Sequence, residues 1–307
     1  MKKVYIVIFG VILVIASILI FLYLGKNDNI EDNTKVNTYG DVDMYGDVDI
    51  YDVGVDVDVY EEKNVPVISS KEVKPISYEA TVPIFMYHWV RDEIGDYPWP
   101  ENMVSPSLLE EQIKYLSENG YDFVYARDLE KIYNYKKPVV LTFDDGWLDV
   151  YLYAFPMAKK YNAKISMFVI KDKVGEEGYC NEEQLKEMAN SGFVDIESHT
   201  LTHPHLSEID YDSQKKELKE SRDYLKDVYG VDAKVICYPY GDRNDDTVKI
   251  AKEVLYTIGL DMDGGIYNSN TYTDIFKIPR IFANRSMTMD EFTSYVLSAK
   301  VDVKWEE

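Results

Sequence analysis

The chain has 307 residues, 46% of them hydrophobic, so it can form one large domain or two ordinary ones around a substantial core. Its formal net charge of −22 at pH 7 argues against nucleic acid as a partner, because phosphates require a basic surface. The two cysteines, Cys180 and Cys237, do not form a CxxC pair, so no thiolate metal site is expected. Their spacing leaves open whether they form a disulfide.

Residues 1–25 are predicted to be a transmembrane signal anchor. Val4 to Leu24 carries no charged residue and would span about 30 Å as a helix, enough to cross a bilayer. Lys2 and Lys3 precede this stretch and acidic sequence follows it, which places the N-terminus in the cytoplasm. We therefore expect a single-pass protein of the cell membrane whose remaining chain is extracellular. A cleaved signal peptide, giving a secreted protein, is the alternative.

Residues 26–79 are predicted to be a disordered acidic tether. The hexapeptides that start at Tyr39 and Tyr45 repeat the pattern Tyr-Gly-Asp-Val-Asp, and Asp28 to Glu62 holds 12 acidic residues against one lysine. Such a composition buries too little apolar surface to fold alone. A Val/Asp strand or a weak calcium site are less favoured alternatives. Half of the net negative charge of −22 therefore belongs to residues 28–62 of this tether, and not to the body that follows.

Residues 80–307 are predicted to form one folded domain in which strands alternate with helices. The predicted strands are 82–87, 121–125, 139–143, 163–170, 194–198, 235–238, 256–259 and 276–279. The predicted helices are 105–120, 129–133, 148–161, 181–192, 213–229, 245–254 and 289–297. This alternation predicts parallel βαβ units and an α/β fold, a distorted parallel (β/α) barrel of about seven strands. A doubly wound open sheet is the alternative.

Side chains of the metal-binding type follow two of these strands. Asp144 and Asp145 come directly after the strand 139–143, and neighbouring carboxylates repel each other unless a cation or proton lies between them. His199 and His203 follow the strand 194–198, and their i, i+4 spacing would place both imidazoles on one face of a helical turn. A simple Asp-Gly turn and two surface histidines are the alternatives.

The ends of parallel strands open on one face of a barrel, so these groups are expected to converge there. Two imidazoles and one carboxylate leave an open coordination position, which is typical of catalytic metal sites. A third segment, Tyr238-Pro-Tyr-Gly241, follows another strand. It is either a simple turn or a rigid backbone that presents an N–H to a developing oxyanion.

These motifs resemble the polysaccharide deacetylase family with the NodB homology domain, carbohydrate esterase family 4. The family motif TFDDG stands here as Thr142 to Gly146, and H-[ST]-x-x-H as His199 to His203. Tyr238 to Gly241 matches the third motif in part. The resemblance covers roughly residues 82–297. The opening V-P-I-F-M-Y-H, residues 82–88, further resembles the branch that includes poly-β-1,6-N-acetylglucosamine deacetylases.

The resemblance implies a metal centre with an acid and a base beside it. Asp145, His199 and His203 would ligate a divalent metal, commonly zinc, and Asp144 would be the general base for an attacking water. The Tyr240 backbone N–H would stabilise the oxyanion.

The sequence departs from the common family pattern at two positions. No histidine follows His205, so His88 is the candidate general acid. The arginine that usually opens the third motif is replaced by Cys237, and Arg280 is the candidate to orient Asp144 instead. Trp147 is the best candidate for stacking on a sugar ring, while His205 is left outside the metal set.

The expected function is metal-dependent N-deacetylation of N-acetylglucosamine units in a cell-surface polysaccharide similar to poly-N-acetylglucosamine. Peptidoglycan is the alternative substrate, and a non-catalytic carbohydrate-binding protein on the same fold is the alternative of another class. The expected partners are this polymer and, through the N-terminal helix, the membrane. Nucleic acid is not expected, and the sequence indicates no protein partner.

Overall fold

The computed structural model describes residues 75–92 and 99–305. The predicted anchor and all but the last residues of the predicted tether lie outside these ranges. Within them, no helix combines the length and apolar character that a bilayer crossing requires. The first strand begins at Ser77, inside the range predicted as tether.

The described residues contain 13 strands and six α-helices. The strands are β1 Ser77–Val82, β2 Ile84–Tyr87, β3 Trp89–Val90, β4 Met103–Val104, β5 Asp122–Phe123, β6 Pro138–Phe143, β7 Ile165–Val169, β8 Val194–Ser198, β9 Val235–Cys237, β10 Ile258–Gly264, β11 Tyr267–Asn268, β12 Ile278–Phe282 and β13 Lys300–Lys304. The helices are α1 Pro106–Glu118, α2 Phe155–Tyr161, α3 Glu182–Asn190, α4 Tyr211–Tyr229, α5 Asp245–Glu253 and α6 Met289–Val296.

Seven parallel strands close into a barrel. Their order is β2-β12-β10-β9-β8-β7-β6, and β6 pairs back onto β2 from Ile84 opposite Val140 to Tyr87 opposite Phe143. The short β5 pairs with Pro138 and Val139 at the start of β6 and does not take part in the closure. The predicted seven-strand barrel is confirmed, and the open-sheet alternative is wrong because β2 joins the two ends of the sheet.

Both faces of the barrel strands are buried, which explains their continuous apolar runs. On β6, Leu141 and Phe143 belong to the core that also contains helix residues such as Leu109. Val140, on the opposite face, belongs to a second core that includes Phe168 and draws on none of the α-helices. The first core therefore seals the helices onto the barrel, and the second fills its interior.

Helix boundaries follow the capping residues that the sequence contains. The Ser105 hydroxyl accepts a hydrogen bond from Leu108 N at 3.1 Å, and Asn181 forms a capping box with Gln184. The predicted helix 148–161 is present as one helical run that contains a π-helical segment, Val150–Ala154, directly before α2. Pro156 follows this segment, and because it has no N–H it cannot complete an α-helical hydrogen bond to the preceding turn.

Some strands differ from the predictions. The predicted strand 82–87 is two strands, because Pro83, which has no N–H to donate, separates β1 from β2. The antiparallel sheet β11-β1-β13 was not predicted. Its edge strand β13 alternates charged and apolar residues over one short exposed stretch, which is a weak sequence signal. Strands β10 and β12 both start about two residues later than predicted and extend further.

A close approach at Gly259 offers a test of the interior packing. A Cβ at this position would lie 2.4 Å from Tyr238 Oη and 2.7 Å from the Phe276 carbonyl oxygen. We therefore expect Gly259→Ala to lower the free energy of unfolding by about 1–3 kcal/mol, measured by urea denaturation. Gly264→Ala on the same strand is the control, because a Cβ there meets no heavy atom within 4 Å. Equal unfolding midpoints for the two variants would contradict this packing.

Candidate metal and catalytic site

A cavity of about 680 Å³ opens where the barrel strands end. Its walls come mainly from the residues that directly follow strands β2, β6, β7, β8 and β9, as expected for a parallel barrel. The lining residues are His88, Trp89, Trp99, Asn102, Asp144, Asp145, Trp147, Ile170, Lys173, Tyr179, His199, Thr202, His203, Tyr240 and Met262. All but one of the residues predicted for the site line this cavity, and the exception, Arg280, is buried beneath it in contact with Asp144.

The turn after β6 gives the two adjacent aspartates different surroundings. Asp144 N donates to the Tyr87 carbonyl at 2.9 Å, which continues the pairing of β6 with β2. Asp145 then adopts the left-handed conformation at φ 72°, followed by Gly146 at φ 91°. An aspartate tolerates this conformation better than a branched residue does. The predicted Asp-Gly turn is therefore present, and it carries the site.

Asp145, His199 and His203 converge as predicted. Asp145 Oδ1 lies 3.4 Å from His199 Nε2 and 3.5 Å from His203 Nε2, and the two Nε2 atoms are 3.1 Å apart. His199 Nδ1 donates to the Cys237 carbonyl at 2.8 Å, which leaves the Nε2 lone pair for a ligand. Three protein donors fit a divalent metal of the catalytic type, because catalytic sites keep one coordination position open for water or substrate. Structural sites, in contrast, use four protein ligands.

Burial favours the neutral form of both imidazoles, but its effect is outweighed at His199, where Cys237 and the Asp145 carboxylate raise the pKa above its usual value. At His203, burial and the neighbouring His199 together lower the pKa to about 4. His203 is therefore neutral at physiological pH, and a neutral imidazole is the form that binds a metal.

The segment between the two histidines is not the helical turn that their spacing suggested. Thr200 has φ 67° and His203 has φ 66°, so the backbone twice enters the left-handed region. The carboxylate of Glu217 on α4 fixes this loop, because it accepts hydrogen bonds from Leu201 N at 3.0 Å, Thr202 N at 2.8 Å and Thr202 Oγ1 at 2.7 Å. The two imidazoles therefore converge as predicted, but the predicted helical turn between them is wrong.

Asp144 faces a different partner from Asp145. Arg280 on β12 donates to both carboxylate oxygens, Nη1 to Oδ1 and Nη2 to Oδ2, each at 2.8 Å. Burial would raise the pKa of Asp144, but the charge and hydrogen bonds of Arg280 outweigh it and hold the pKa below its usual value. Asp144 is therefore an ionised carboxylate beside the metal set, at the position predicted for a base.

A second group of potential donors, Asp144, His199 and Cys237, also lies close together. Its carboxylate is already paired with Arg280, and its imidazole Nδ1 donates to a carbonyl. The set that contains Asp145 is therefore the better candidate for a metal position. Both cysteines are free: the Cys237 thiol contacts Arg280 Nη2 at 3.1 Å, and the Cys180 thiol donates to the Trp147 carbonyl at 3.4 Å.

His88 and Tyr240 lie in the cavity wall. His88 is buried, and its Nδ1 has no hydrogen-bond partner within the part of the chain that the structure describes. Tyr240 belongs to a single 3-10 turn, Pro239–Gly241, and adopts φ 59°. The turn packs closely against β10, since a Cβ at Gly241 would lie 2.9 Å from Asp261 Oδ1. The roles of His88 as general acid and of the Tyr240 backbone N–H as oxyanion donor stay predictions.

Trp147 has a role that the sequence did not indicate. Its Nε1 donates to Asp145 Oδ2 at 2.8 Å, so it orients the carboxylate of the metal set. Its ring stacks on Tyr179 with centroids 4.2 Å apart and lies tilted against Trp89 at 4.9 Å. Stacking on a sugar stays a prediction for Trp147. Sequence reasoning missed Tyr179 and Glu217, because neither lies in or beside a motif.

Comparisons with known proteins agree with this fold and site. The family profile described as "Polysaccharide deacetylase" matches residues 131–259. The chain is 30% identical over 226 residues to YxkH of Bacillus subtilis, which is assigned by name to the polysaccharide deacetylases; the match covers 72% of this chain and 78% of YxkH. It is 33% identical over 197 residues to the poly-β-1,6-N-acetyl-D-glucosamine N-deacetylase of Staphylococcus aureus, covering 58% of this chain and 67% of that enzyme.

Among solved structures, the deacetylase PplD of Streptococcus pyogenes, in complex with acetate, superimposes with a TM-score of 0.65 at 29% identity. The superposition covers 73% of this chain and 99% of PplD. The chain therefore belongs to the polysaccharide deacetylase family. It is accordingly a hydrolase of the class that acts on carbon–nitrogen bonds other than peptide bonds.

The Glu217 contacts predict how the metal site depends on its support. Glu217→Ala removes both carboxylate oxygens and therefore every acceptor for the loop hydrogen bonds from Leu201 and Thr202, so His203 loses its fixed position. We expect the affinity for Zn²⁺ to fall about 10- to 100-fold, measured by competition with a chromophoric chelator. Glu220→Ala on the exposed face of the same helix is the matched control. Equal affinities for the two variants would contradict a supporting role of Glu217.

Proposed function

We propose that this protein removes acetyl groups from N-acetylglucosamine units of a cell-surface polysaccharide similar to poly-N-acetylglucosamine, in a metal-dependent reaction. The observation that carries the proposal is the separation of the two adjacent aspartates. Asp145 lies against two imidazoles, while Asp144 is held as a carboxylate by Arg280. A metal position and a base thus lie side by side, which is the arrangement that water-mediated deacetylation needs.

Asp145, His199 and His203 would hold the ion, and zinc is our first choice because it is common in open sites of imidazole and carboxylate ligands. When bound, such an ion lowers the pKa of a coordinated water and polarises the substrate carbonyl.

The remaining steps belong to residues of the chain. Asp144 accepts a proton from the water whose oxygen attacks the acetamide carbon, and Arg280 keeps both carboxylate oxygens fixed for this transfer. The Tyr240 backbone N–H donates to the oxyanion. His88 protonates the amine nitrogen as the carbon–nitrogen bond breaks, so that acetate and a glucosamine unit are released.

The nature of the relatives supports the substrate class. The Staphylococcus aureus relative is by name a poly-β-1,6-N-acetyl-D-glucosamine N-deacetylase, and the PplD structure contains acetate, the expected second product. Peptidoglycan remains the alternative polymer. A non-catalytic binding protein is less well supported, because sugar binding alone does not require a buried carboxylate that is kept ionised.

Acetate release from N-acetylglucosamine oligomers tests the proposal. We expect the metal-loaded protein to release acetate from β-1,6-linked oligomers, and a chelator to abolish this release until Zn²⁺ is restored. The β-1,4-linked oligomers, which share the linkage of peptidoglycan glycan chains, are the comparison. Faster release from the β-1,4 series would favour the alternative polymer. Absence of release from both series by metal-loaded protein would favour the binding protein.

Two variants separate the proposed roles. We expect Asp144→Asn and His88→Ala to lower kcat about 10²- to 10⁴-fold while bound metal, measured by atomic emission, stays at the wild-type level. Asp227→Asn, at an exposed position on α4, is the control for a generic charge change. Loss of metal from Asp144→Asn would mean that the two aspartates have exchanged roles.

We further propose that residues 4–24 anchor the protein in the cell membrane and that the domain acts outside the cell. The uncharged apolar sequence and the lysines before it support this proposal. We expect the expressed full chain to sediment with membranes and to resist extraction by alkaline carbonate, whereas a chain lacking residues 1–25 stays in the supernatant. Recovery of the full chain in the culture medium would show instead that the segment is cleaved.

A further inference from the structure

The mouth of the cavity carries large apolar side chains that remain exposed. The described residues include nine exposed large hydrophobic side chains, and three of them, Trp99 at 56%, Tyr240 at 51% and Met262 at 40%, line this one cavity. The catalytic groups lie deeper, since Asp144 and His199 are 1% and 3% exposed. Exposed apolar groups gathered at a cleft indicate a surface that a ligand covers. This surface adjoins the proposed reacting position, because the ring of Tyr240 meets His203.

Tyr240 is held in place although half of its surface is open. One of its neighbours, His205, stacks on it with centroids 4.0 Å apart and an angle of 13°, and His203 meets it edge-on at 4.6 Å. On its other side His205 lies beside Asp242, whose Oδ2 is 3.7 Å from His205 Nδ1. Ser207 donates to the same carboxylate from its hydroxyl at 2.6 Å. An exposed aromatic ring that is already ordered loses little entropy when it binds.

Among the residues that the structure describes, the exposed apolar side chains at the cavity mouth are not accompanied by a free charge that would bind an ionic ligand. The lysine in the cavity wall, Lys173, pairs with Glu176 at 2.7 Å and therefore offers no free positive charge for an anionic group. Aromatic faces bind the C–H face of a pyranose ring, which is apolar and uncharged. The cavity is also large, because its volume of about 680 Å³ lies within the range of sites for drug-sized ligands. It thus has room for more than the reacting sugar.

We propose that Tyr240, supported by His205 and accompanied by Trp99, stacks on the sugar next to the one that is deacetylated. The enzyme then acts on chains and not on single sugars, and His205 is a positioning residue for this neighbouring subsite. This inference rests on the proposed function, since it concerns the substrate of the same site.

The dependence of kcat/KM on chain length tests the inference. We expect the wild-type protein to prefer a β-1,6-linked N-acetylglucosamine tetramer over the monosaccharide. In His205→Ala the ratio of the two kcat/KM values falls about five- to tenfold, mainly through KM for the tetramer, because the ring of Tyr240 loses its support. His205→Phe keeps the stacking and restores the ratio. Trp305→Ala, an exposed tryptophan that does not line the cavity, keeps the wild-type ratio.

Two results would overturn the inference. The first is an unchanged ratio in both His205→Ala and Tyr240→Ala. The second is a loss of bound metal in His205→Ala, which would show that His205 acts through His203 alone. Failure of the proposed function is distinguishable, because it appears as absent acetate release from every chain length by the wild type. Calorimetric binding of the tetramer to wild type and His205→Ala then decides the stacking, and equal affinities would refute it.

Discussion

The buried ion pair of Arg280 and Asp144 is the interaction on which this structure depends. Arg280 is fully buried, and a charge inside a protein is tolerated only when its hydrogen-bonding groups are satisfied. Besides Asp144, the guanidinium donates to Thr142 Oγ1 at 3.1 Å on β6 and to the Asp261 carbonyl at 2.9 Å on β10. It also contacts the Cys237 thiol on β9. One side chain from β12 thus links three other barrel strands, so that the interior and the site cannot be formed independently.

This pair also resolves the repulsion that the adjacent aspartates would otherwise suffer. The guanidinium neutralises Asp144 from below, and the left-handed turn at Asp145 directs the second carboxylate to the imidazoles. The two groups then belong to different electrostatic environments, although they are neighbours in sequence. Cys237, directly before Tyr238 of the third motif, contacts both environments. Its carbonyl oxygen accepts a hydrogen bond from His199, and its sulfur accepts one from Arg280. One residue therefore contacts both His199, a proposed metal ligand, and Arg280, which holds the proposed base.

The sequence predicted the barrel and the convergence of the site for a physical reason. Buried parallel strands produce apolar runs, and their ends must open on one face, so Asp145, His199 and His203 could be placed together without coordinates. The path between them could not be predicted. The i, i+4 spacing of the histidines is compatible with a helical turn, and the loop adopts another path because Glu217, distant in sequence, binds its backbone. Likewise, the hydrogen bond from Trp147 to Asp145 depends on a side-chain orientation fixed by Tyr179.

The residues of the site that adopt the left-handed backbone conformation limit how this enzyme can adapt to higher temperature. Among the described residues, six that are not glycine have positive φ. Three of them, Asp145, His203 and Tyr240, line the cavity, and a fourth, Thr200, lies in the loop between the two histidines. Each such conformation costs about 1–2 kcal/mol, which the surrounding barrel must offset. Selection for heat resistance would find easy gains by relaxing these positions and would lose turnover in return. Adaptation to higher temperature is therefore more accessible in the outer helices, whose backbone already lies in its preferred conformation, than at the mouth of the barrel.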